Sequence, residues 1–254
     1  MATPDSESFV RTFARGLKII ETMGQGEARQ TLADVASAVE LPRTAVRRFL
    51  MTLVELSFVK SDGKHYWLTP KVLRLGLSYL YTLPFWRHSQ LALEELGARI
   101  GQSCAVSVLD EEEIVYVQRL HTKRILPMSP SLGSRYQHAV SMGGVLLSGL
   151  EDEALRKAYL QAAKLKKMTA TTVVDKDKLR EGILLAREQG YAWVDSELDD
   201  SIAGLAVPVR DQDGTIVAAV NVSLTAGAFE GSGGSSGSFS HHCGRLRRSC
   251  ARRW

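Results

Sequence analysis

Residues 31–68 read TLADVASAVELPRTAVRRFLMTLVELSFVKSDGKHYWL, and this stretch decides the fold of the N-terminal part of the chain. Thr31 can cap a first helix over LADVASAVE, because Asp34 stands three residues further on and completes a capping box. A second helix, RTAVRRFLMTLVEL, begins at Pro42, and a helix start tolerates the N–H that proline lacks. Two short helices joined by a tight turn predict a helix-turn-helix.

A β-hairpin is predicted directly after the second helix. Residues 58–61 and 65–68 have the composition of short strands, and Asp62-Gly63 between them is a strong hairpin signal, because glycine reaches positive φ without steric cost. A third helix is predicted upstream, over residues 9–23, where apolar side chains recur at helical spacing and should form its buried face. These side chains are Phe9, Phe13, Leu17 and Ile20. Three helices followed by a hairpin make up a winged helix-turn-helix.

One face of the second helix, together with the hairpin, carries groups that could bind DNA. They are Arg43, Thr44, Arg47 and Arg48 on the helix, and Lys60 and Lys64 on the hairpin. A helix fits the major groove, where arginine can bond bidentately to guanine, and lysines can neutralise phosphates. Arginines on a surface helix can equally be its solvated face. The ordered combination of three helices, a turn and a hairpin favours DNA binding.

The charge distribution agrees with a DNA-binding module at the N-terminal end. Residues 1–85 carry a net charge of +3, residues 86–226 a net −3 and residues 227–254 a net +4. A basic segment before an acidic one suits a DNA-binding domain joined to a domain that does not bind DNA. We divide the chain into a flexible N-terminus, a winged helix-turn-helix domain, a linker helix, a second domain and a disordered tail, at residues 1–8, 9–70, 71–85, 86–226 and 227–254.

The second domain interleaves predicted helices and strands. Helical periodicity marks LALEELGARIG, AVSMGGVLLSGL and DKLREGILLAREQGY. Strand patterns mark CAVSVLD, IVYVQRL, RILPMS and a final hairpin of GLAVPVRD and TIVAAVNVS. This order predicts an α+β fold, with one sheet and helices beside it.

The sequence argues against several classes of function. It contains no G-x-S-x-G, Walker A or H-E-x-x-H motif, so we expect no enzyme. Cys104, Cys243 and Cys250 show no pairing or regular spacing, so we expect no disulfide framework, no metal site and no cofactor. No apolar run reaches the ~18 residues of a membrane span, and the N-terminus lacks the features of a secretory signal. A cytoplasmic protein without a membrane partner is expected.

Binding of a small molecule is the favoured function of the second domain. Gly143-Gly144 lets the backbone come close either to a neighbouring strand or to a ligand. The rival hypothesis is an enzyme or a small-molecule carrier whose winged helix serves only for protein interaction. The clustered arginines and the lack of a catalytic set argue against this rival, and an assay of substrate consumption would discriminate the two.

Two stretches resemble the N-terminal half of IclR-type transcriptional regulators: FVRTFARGLKIIETM at residues 9–23, and TLADVASAVELPRTAVRRFLMTLVELSFVKSDGKHYWLTPKVLRLG at residues 31–76. They resemble in particular the branch that controls protocatechuate and 4-hydroxybenzoate catabolism in the β-ketoadipate pathway, and the resemblance extends to about residue 226. It implies a regulator that binds double-stranded operator DNA and responds to an effector such as protocatechuate, 4-hydroxybenzoate or β-ketoadipate. It also implies a homodimer through the linker helix, which can assemble into a dimer of dimers.

The resemblance further implies a GAF-like effector domain, with a pocket between the sheet and the segment that carries the glycine pair. Carried over by matching segments, its lining residues are Ile125, Met128, Ser141, Met142, Gly143, Asp195, Ile202, Gly204, Asn221 and Ser223. An effector carboxylate needs a cationic or N–H partner, since burying it unpaired is costly. Arg124, Arg135 and His138 are the candidates near the expected mouth, and each could equally face water.

The last segment of the chain, residues 227–254, is rich in glycine, serine and arginine and has no apolar period. The IclR-type family would have an amphipathic helix in this place. The composition resembles a frame-shifted reading of a GC-rich gene, and a natural basic tail that adds non-specific DNA affinity is the alternative.

Overall fold

A computed structural model of the chain describes residues 8–111, 113–121, 131–137 and 141–225, without the side chains of Gln137, Ser141 and Met142. The chain divides into two compact units between Leu83 and Pro84. None of the helices in this described part is long and apolar enough to cross a membrane. The predictions for Arg124, Ile125, Met128, His138 and the tail at 227–254 lie outside the described residues.

The first unit contains three helices, α1 (Arg11–Gln25), α2 (Leu32–Val39) and α3 (Arg43–Glu55). Strands β1 (Gln30–Thr31), β2 (Val59–Ser61) and β3 (His65–Leu68) form an antiparallel sheet in the order β1-β3-β2. The predicted winged helix-turn-helix is therefore confirmed, with β1 as an additional strand. The predicted capping box is also confirmed, because the Thr31 hydroxyl accepts from the Asp34 N–H and the Asp34 carboxylate accepts from the Thr31 N–H.

The core of the first unit corrects one prediction about α1. Phe13 is 68% exposed and Leu17 is 41% exposed, whereas Ile19 and Met23 are buried. Ile19 and Met23 therefore form the buried centre of the α1 contact with α2 and α3, and of the predicted face Ile20 packs against this core, partly buried. Helical periodicity identifies an amphipathic helix, but it does not decide which of its apolar residues face the neighbouring helices.

The predicted linker helix begins with a 3-10 turn at Pro70–Val72 and continues as α4 (Leu73–Leu80). Leu80 is buried, whereas Leu73, Leu75 and Leu77 are exposed. Contiguous exposed apolar side chains on a helix are a feature of surfaces that contact other proteins.

The second unit contains four helices in the described residues, α5 (Trp86–Ile100), α6 (Ser141–Ser148), α7 (Glu153–Ala162) and α8 (Lys176–Gln189). Its strands are β4 (Ser103–Asp110), β5 (Glu113–Leu120), β6 (Arg135–Gln137), β7 (Ala192–Asp195), β8 (Ile202–Arg210) and β9 (Ile216–Thr225). They form one antiparallel sheet in the order β6-β5-β4-β9-β8-β7. The predicted α+β fold is confirmed, and α7, β6 and β7 are elements that the sequence analysis missed.

Helices cover both faces of this sheet. Residues directly opposite each other in an antiparallel pair share a face, and so do residues two apart along one strand. Ala105, Ala206 and Ala219 lie on the face that packs against α6 and α8, which we call the α6 face. Leu120 lies on the other face, which we call the α5 face, where its side chain packs against Gly97 of α5, and a side chain at Gly97 would have to displace it. The central strands β4, β8 and β9 therefore contribute small side chains to the α6 face.

Candidate nucleic-acid interface and effector site

The predicted DNA-contacting side chains of α3 lie on one exposed side of that helix. They are Arg43, Thr44, Arg47 and Arg48. The opposite side of the helix holds it to the core through Val46, Leu50 and Leu53, which are all buried. Packing of the buried side fixes the direction of the exposed side, so the structure brings the four predicted residues together on one surface.

The cationic side of α3 is not neutralised by acidic side chains. Within the part of the chain that the structure describes, Arg43, Arg47 and Arg48 make no ion pair with a carboxylate. The helix begins after Pro42, and no side chain caps its first N–H groups. Such groups, with the helix dipole, favour an anion such as a phosphate. Unpaired arginines beside an uncapped helix start make this surface complementary to a polyanion.

The hairpin of β2 and β3 is the predicted wing, and the Asp62 side chain stabilises its turn. The Asp62 carboxylate accepts hydrogen bonds from the backbone N–H groups of Lys64 at 3.0 Å and of His65 at 2.7 Å. It also lies 3.4 Å from the Arg29 guanidinium, across the short sheet. Lys60 and Lys64 are exposed on the two sides of the turn. The backbone that carries both predicted phosphate-binding lysines is therefore fixed by an acidic side chain.

The titration of Asp62 tests this turn. Backbone hydrogen bonds from His65 and Lys64 lower the pKa of Asp62 from its ordinary value of 3.8 to about 2. Because the folded-state pKa is depressed, the stabilisation is fully present above pH 3.8 and is lost as the pH falls through about 2. We expect the NMR shifts of the Lys64 and His65 amides to titrate with a midpoint near pH 2, and Asp62→Asn to remove that transition. A midpoint at the ordinary value would contradict the hydrogen bonding.

Several predicted effector-binding residues lie close together in the second unit. Gly204 on β8 is directly opposite Ser223 on β9, and Ile202 and Asn221 follow two residues along on the same α6 face. Gly204 and Asn221 are buried, and the Ser223 hydroxyl donates to Asn221 Oδ1 at 3.3 Å. Gly143 is buried near the start of α6, the helix that packs on β8 and β9. The structure thus brings these five residues to one face of the sheet.

Asp195 and Arg135 lie apart from this group. Asp195 is exposed at the end of β7. Arg135 lies on the α5 face, because it is directly opposite Val115, and its guanidinium bonds to Asp110 at 2.8 Å and Glu113 at 2.7 Å. The hydrogen bonds that Arg135 donates to Glu113 and Asp110 raise the pKa of Arg135, and the two carboxylates already neutralise its charge. We therefore do not carry Arg135 forward as the partner of an effector carboxylate.

The α6 face carries a cation that the sequence analysis did not single out. Arg119 on β5 is directly opposite Ala105 on β4, which is in turn directly opposite Asn221 on β9. The Arg119 guanidinium stands 5.6 Å from the centre of the Tyr116 ring, and that ring meets Tyr136 edge-on at 5.7 Å. Burial lowers the pKa of Arg119 and raises the pKa of Tyr116 to about 12. A cation next to the neutral Tyr116 phenol therefore lies in the same cross-strand row as a predicted pocket residue.

An irregular pairing of β5 with β4 explains why the sequence did not predict Arg119 on the α6 face. Strict alternation along this strand places Tyr116 and Gln118 on one face and Arg119 on the other. The register shifts at Val117, which has no partner on β4, and Tyr116 then pairs with Ser107. Such a β-bulge adds one residue to one strand, so it carries Arg119 onto the face of Tyr116. The sequence of β5 alone gives no signal for this shift, and the arginine within an apolar strand was the only available clue.

Two family models match the chain. The IclR helix-turn-helix domain matches residues 12–63, and the C-terminal domain of bacterial IclR transcriptional regulators matches residues 77–242. The chain belongs to the IclR family. It is therefore a DNA-binding transcriptional regulator that responds to an effector, as the sequence analysis predicted. The second match extends past residue 226, into the segment that we interpreted as a tail.

Relatives of known role confirm the resemblance to the protocatechuate and 4-hydroxybenzoate branch. The Pca regulon regulatory protein of Pseudomonas putida is 36% identical over 221 residues, which cover 86% of this chain and 76% of that protein. The p-hydroxybenzoate hydroxylase transcriptional activator of Acinetobacter baylyi is 32% identical over 222 residues, which cover 85% of this chain and 82% of that protein.

Solved structures share the fold of this IclR-family chain. A transcriptional regulator from Rhodococcus sp. RHA1 is 37% identical and superposes with a TM-score of 0.78, over 96% of this chain and 99% of that one. An IclR homologue from Microbacterium hydrocarbonoxydans, solved in complex with 4-hydroxybenzoate, is 20% identical with a TM-score of 0.75, over 94% of this chain and 98% of that one.

Proposed function

We propose that this regulator binds a two-fold symmetric operator as a homodimer, and that an aromatic acid or a related catabolic metabolite changes its DNA affinity or its contacts with RNA polymerase. The observation that carries the proposal is the exposed side of α3, with three arginines that have no acidic partner in the described part of the chain. Arg43, Thr44, Arg47 and Arg48 would enter the major groove, and Lys60 and Lys64 would bind phosphates.

The proposed effector is protocatechuate, 4-hydroxybenzoate or β-ketoadipate, and all three are carboxylates. Support comes from the Pca and p-hydroxybenzoate relatives, and from the family member whose crystals contain 4-hydroxybenzoate. The proposed pocket lies on the α6 face, beside Gly143, Ile202, Gly204, Asn221 and Ser223. Ile125, Met128, His138, Ser141 and Met142 stay predicted contributors to its lining. Asp195 does not, because it is directly opposite Ala203 and therefore lies on the other face of the sheet.

The proposed dimer would form through the linker helix. The exposed leucines of α4, Leu73, Leu75 and Leu77, give an apolar surface that a second copy of the helix could cover. Pairing there would present two copies of α3 to successive major-groove half-sites, and two such dimers could assemble further. We propose no catalysis, and a cytoplasmic location where the operator is accessible.

Gel-shift titrations at a fixed salt concentration test the proposal. The probes are DNA upstream of the regulator's own gene and of neighbouring genes, with and without protocatechuate or 4-hydroxybenzoate. We expect a specific shift that one of these acids alters, and much weaker binding to an isolated half-site. A specific shift that neither acid alters would refute the effector class alone. Folded protein without any specific shift would favour the rival enzyme or carrier.

A further inference from the structure

Arg119 carries a buried donor that has no partner. Its Nε–H is shielded from solvent and donates no hydrogen bond to protein in the part of the chain that the structure describes. Buried polar atoms almost always find a partner, because an unsatisfied donor costs about 1–3 kcal/mol. An arginine kept in this state therefore calls for a ligand that supplies the missing acceptor.

Arg119 makes no ion pair with a carboxylate in the part of the chain that the structure describes. Its nearest interacting groups are the rings of Tyr116 and Tyr136, and a Tyr116 pKa of about 12 keeps that phenol neutral at physiological pH. Arg135 is the opposite case, because Asp110 and Glu113 both bond to it. Arg135 therefore has no need of a further anion, whereas the charge of Arg119 could be compensated by the carboxylate of a ligand.

A cavity of about 370 Å³ adjoins Arg119 at the edge of β5. Leu93 and Glu94 of α5 line it together with Val117, Leu132 and Arg119, so the space is partly apolar and includes the Glu94 carboxylate. Arg119 on β5 and Asn221 on β9 are both directly opposite Ala105 on β4. Their backbones are therefore separated by two strand spacings, which is about 10 Å. Arg119 thus lies between a partly apolar space and the face that carries the predicted pocket residues.

We propose that Arg119 binds the carboxylate of the effector, at the β5 end of the α6 face. This inference rests on the proposed function, in which the effector is an aromatic acid. A guanidinium accepts a carboxylate through two parallel hydrogen bonds, and its Nε–H is one of the two donors that can take part. The neighbouring phenols favour an aromatic ring on the carboxylate over an aliphatic chain.

Paired ligands test the charge recognition directly. Calorimetric titration of 4-hydroxybenzoate and of its neutral amide, 4-hydroxybenzamide, into the full-length protein gives the ratio of the two affinities. We expect the wild-type protein to prefer the acid, and Arg119→Gln to reduce affinity for the acid about 10- to 100-fold while affinity for the amide changes little. Arg119→Lys should keep part of the preference, because the charge remains.

Two control variants separate charge recognition from general effects. Arg135→Gln removes the same charge from the α5 face, and Gln118→Leu changes a second half-buried residue that lines the same cavity and has a buried polar atom without a partner among the described residues. Neither should alter the ratio of acid to amide affinity. The inference is overturned if Arg119→Gln keeps the preference, or if it loses both ligands equally. If wild-type protein binds neither acid nor amide but still binds its operator, the Arg119 assignment and the effector class both fail, while operator binding stands.

Discussion

Replacement of Arg47 by alanine should weaken binding to the operator far more than binding to unrelated DNA. Arg47 is exposed on α3, at the border of the side that Leu50 buries in the core. A bidentate contact between arginine and guanine is worth roughly 1–3 kcal/mol of discrimination, and every 1.4 kcal/mol is a tenfold change in affinity. Operator affinity should therefore fall about 5- to 150-fold, while non-specific affinity loses only the contribution of one charge.

Lys64→Ala is the matched comparison, because it also removes one positive charge from an exposed position in the same unit. A lysine that neutralises a phosphate contributes equally to all sequences, so operator and unrelated DNA should lose similar factors. The slope of log affinity against log salt should fall in magnitude by about 0.9. Fluorescence anisotropy at several salt concentrations measures both quantities for each variant. Equal losses of specific and non-specific binding in Arg47→Ala would contradict its assigned role in the groove.

The winged helix-turn-helix was predictable because its signals are local. The Thr31 cap, the start of α3 after Pro42 and the Asp62-Gly63 turn each depend on a few neighbouring residues, and the structure contains all three. Local sequence preferences that agree with the global fold make a segment easy to interpret. The buried face of α1 was not predictable in the same way, because which of its apolar residues are buried depends on where α2 and α3 pack.

The candidate effector site shows the limit of such local reasoning. The face shared by Gly204 and Asn221 follows from the alternation of β8 and β9, which pair without a register shift between Ile202 and Val209. On β5, a single unpaired residue at Val117 decides on which face Arg119 lies. Arg135 was misjudged for a different reason, since its partners lie on two other strands and only the pairing of β6 with β5 brings them together.

Leu50→Ala should destabilise the DNA-binding unit more than any surface substitution on the same helix. The Leu50 side chain is 0% exposed and packs among the buried residues of α1, α2 and the wing. Truncation of a leucine in such a core typically costs about 2–5 kcal/mol, because transfer free energy is lost and a cavity remains. A typical domain is stable by only about 5–15 kcal/mol, so this is a large part of the total.

The neighbouring residue provides the control for Leu50. Met51 is 52% exposed on the same helix, and Met51→Ala should change stability by no more than about 0.5 kcal/mol. Hydrogen exchange of the amides in residues 43–55 measures the effect on this unit alone, which a melting curve of a two-unit chain does not. Leu50→Ala should accelerate this exchange strongly and also lower operator affinity, because the loosened core no longer fixes the direction of the arginine side of α3. Similar exchange rates in the two variants would mean that the recognition helix does not depend on this core for its position.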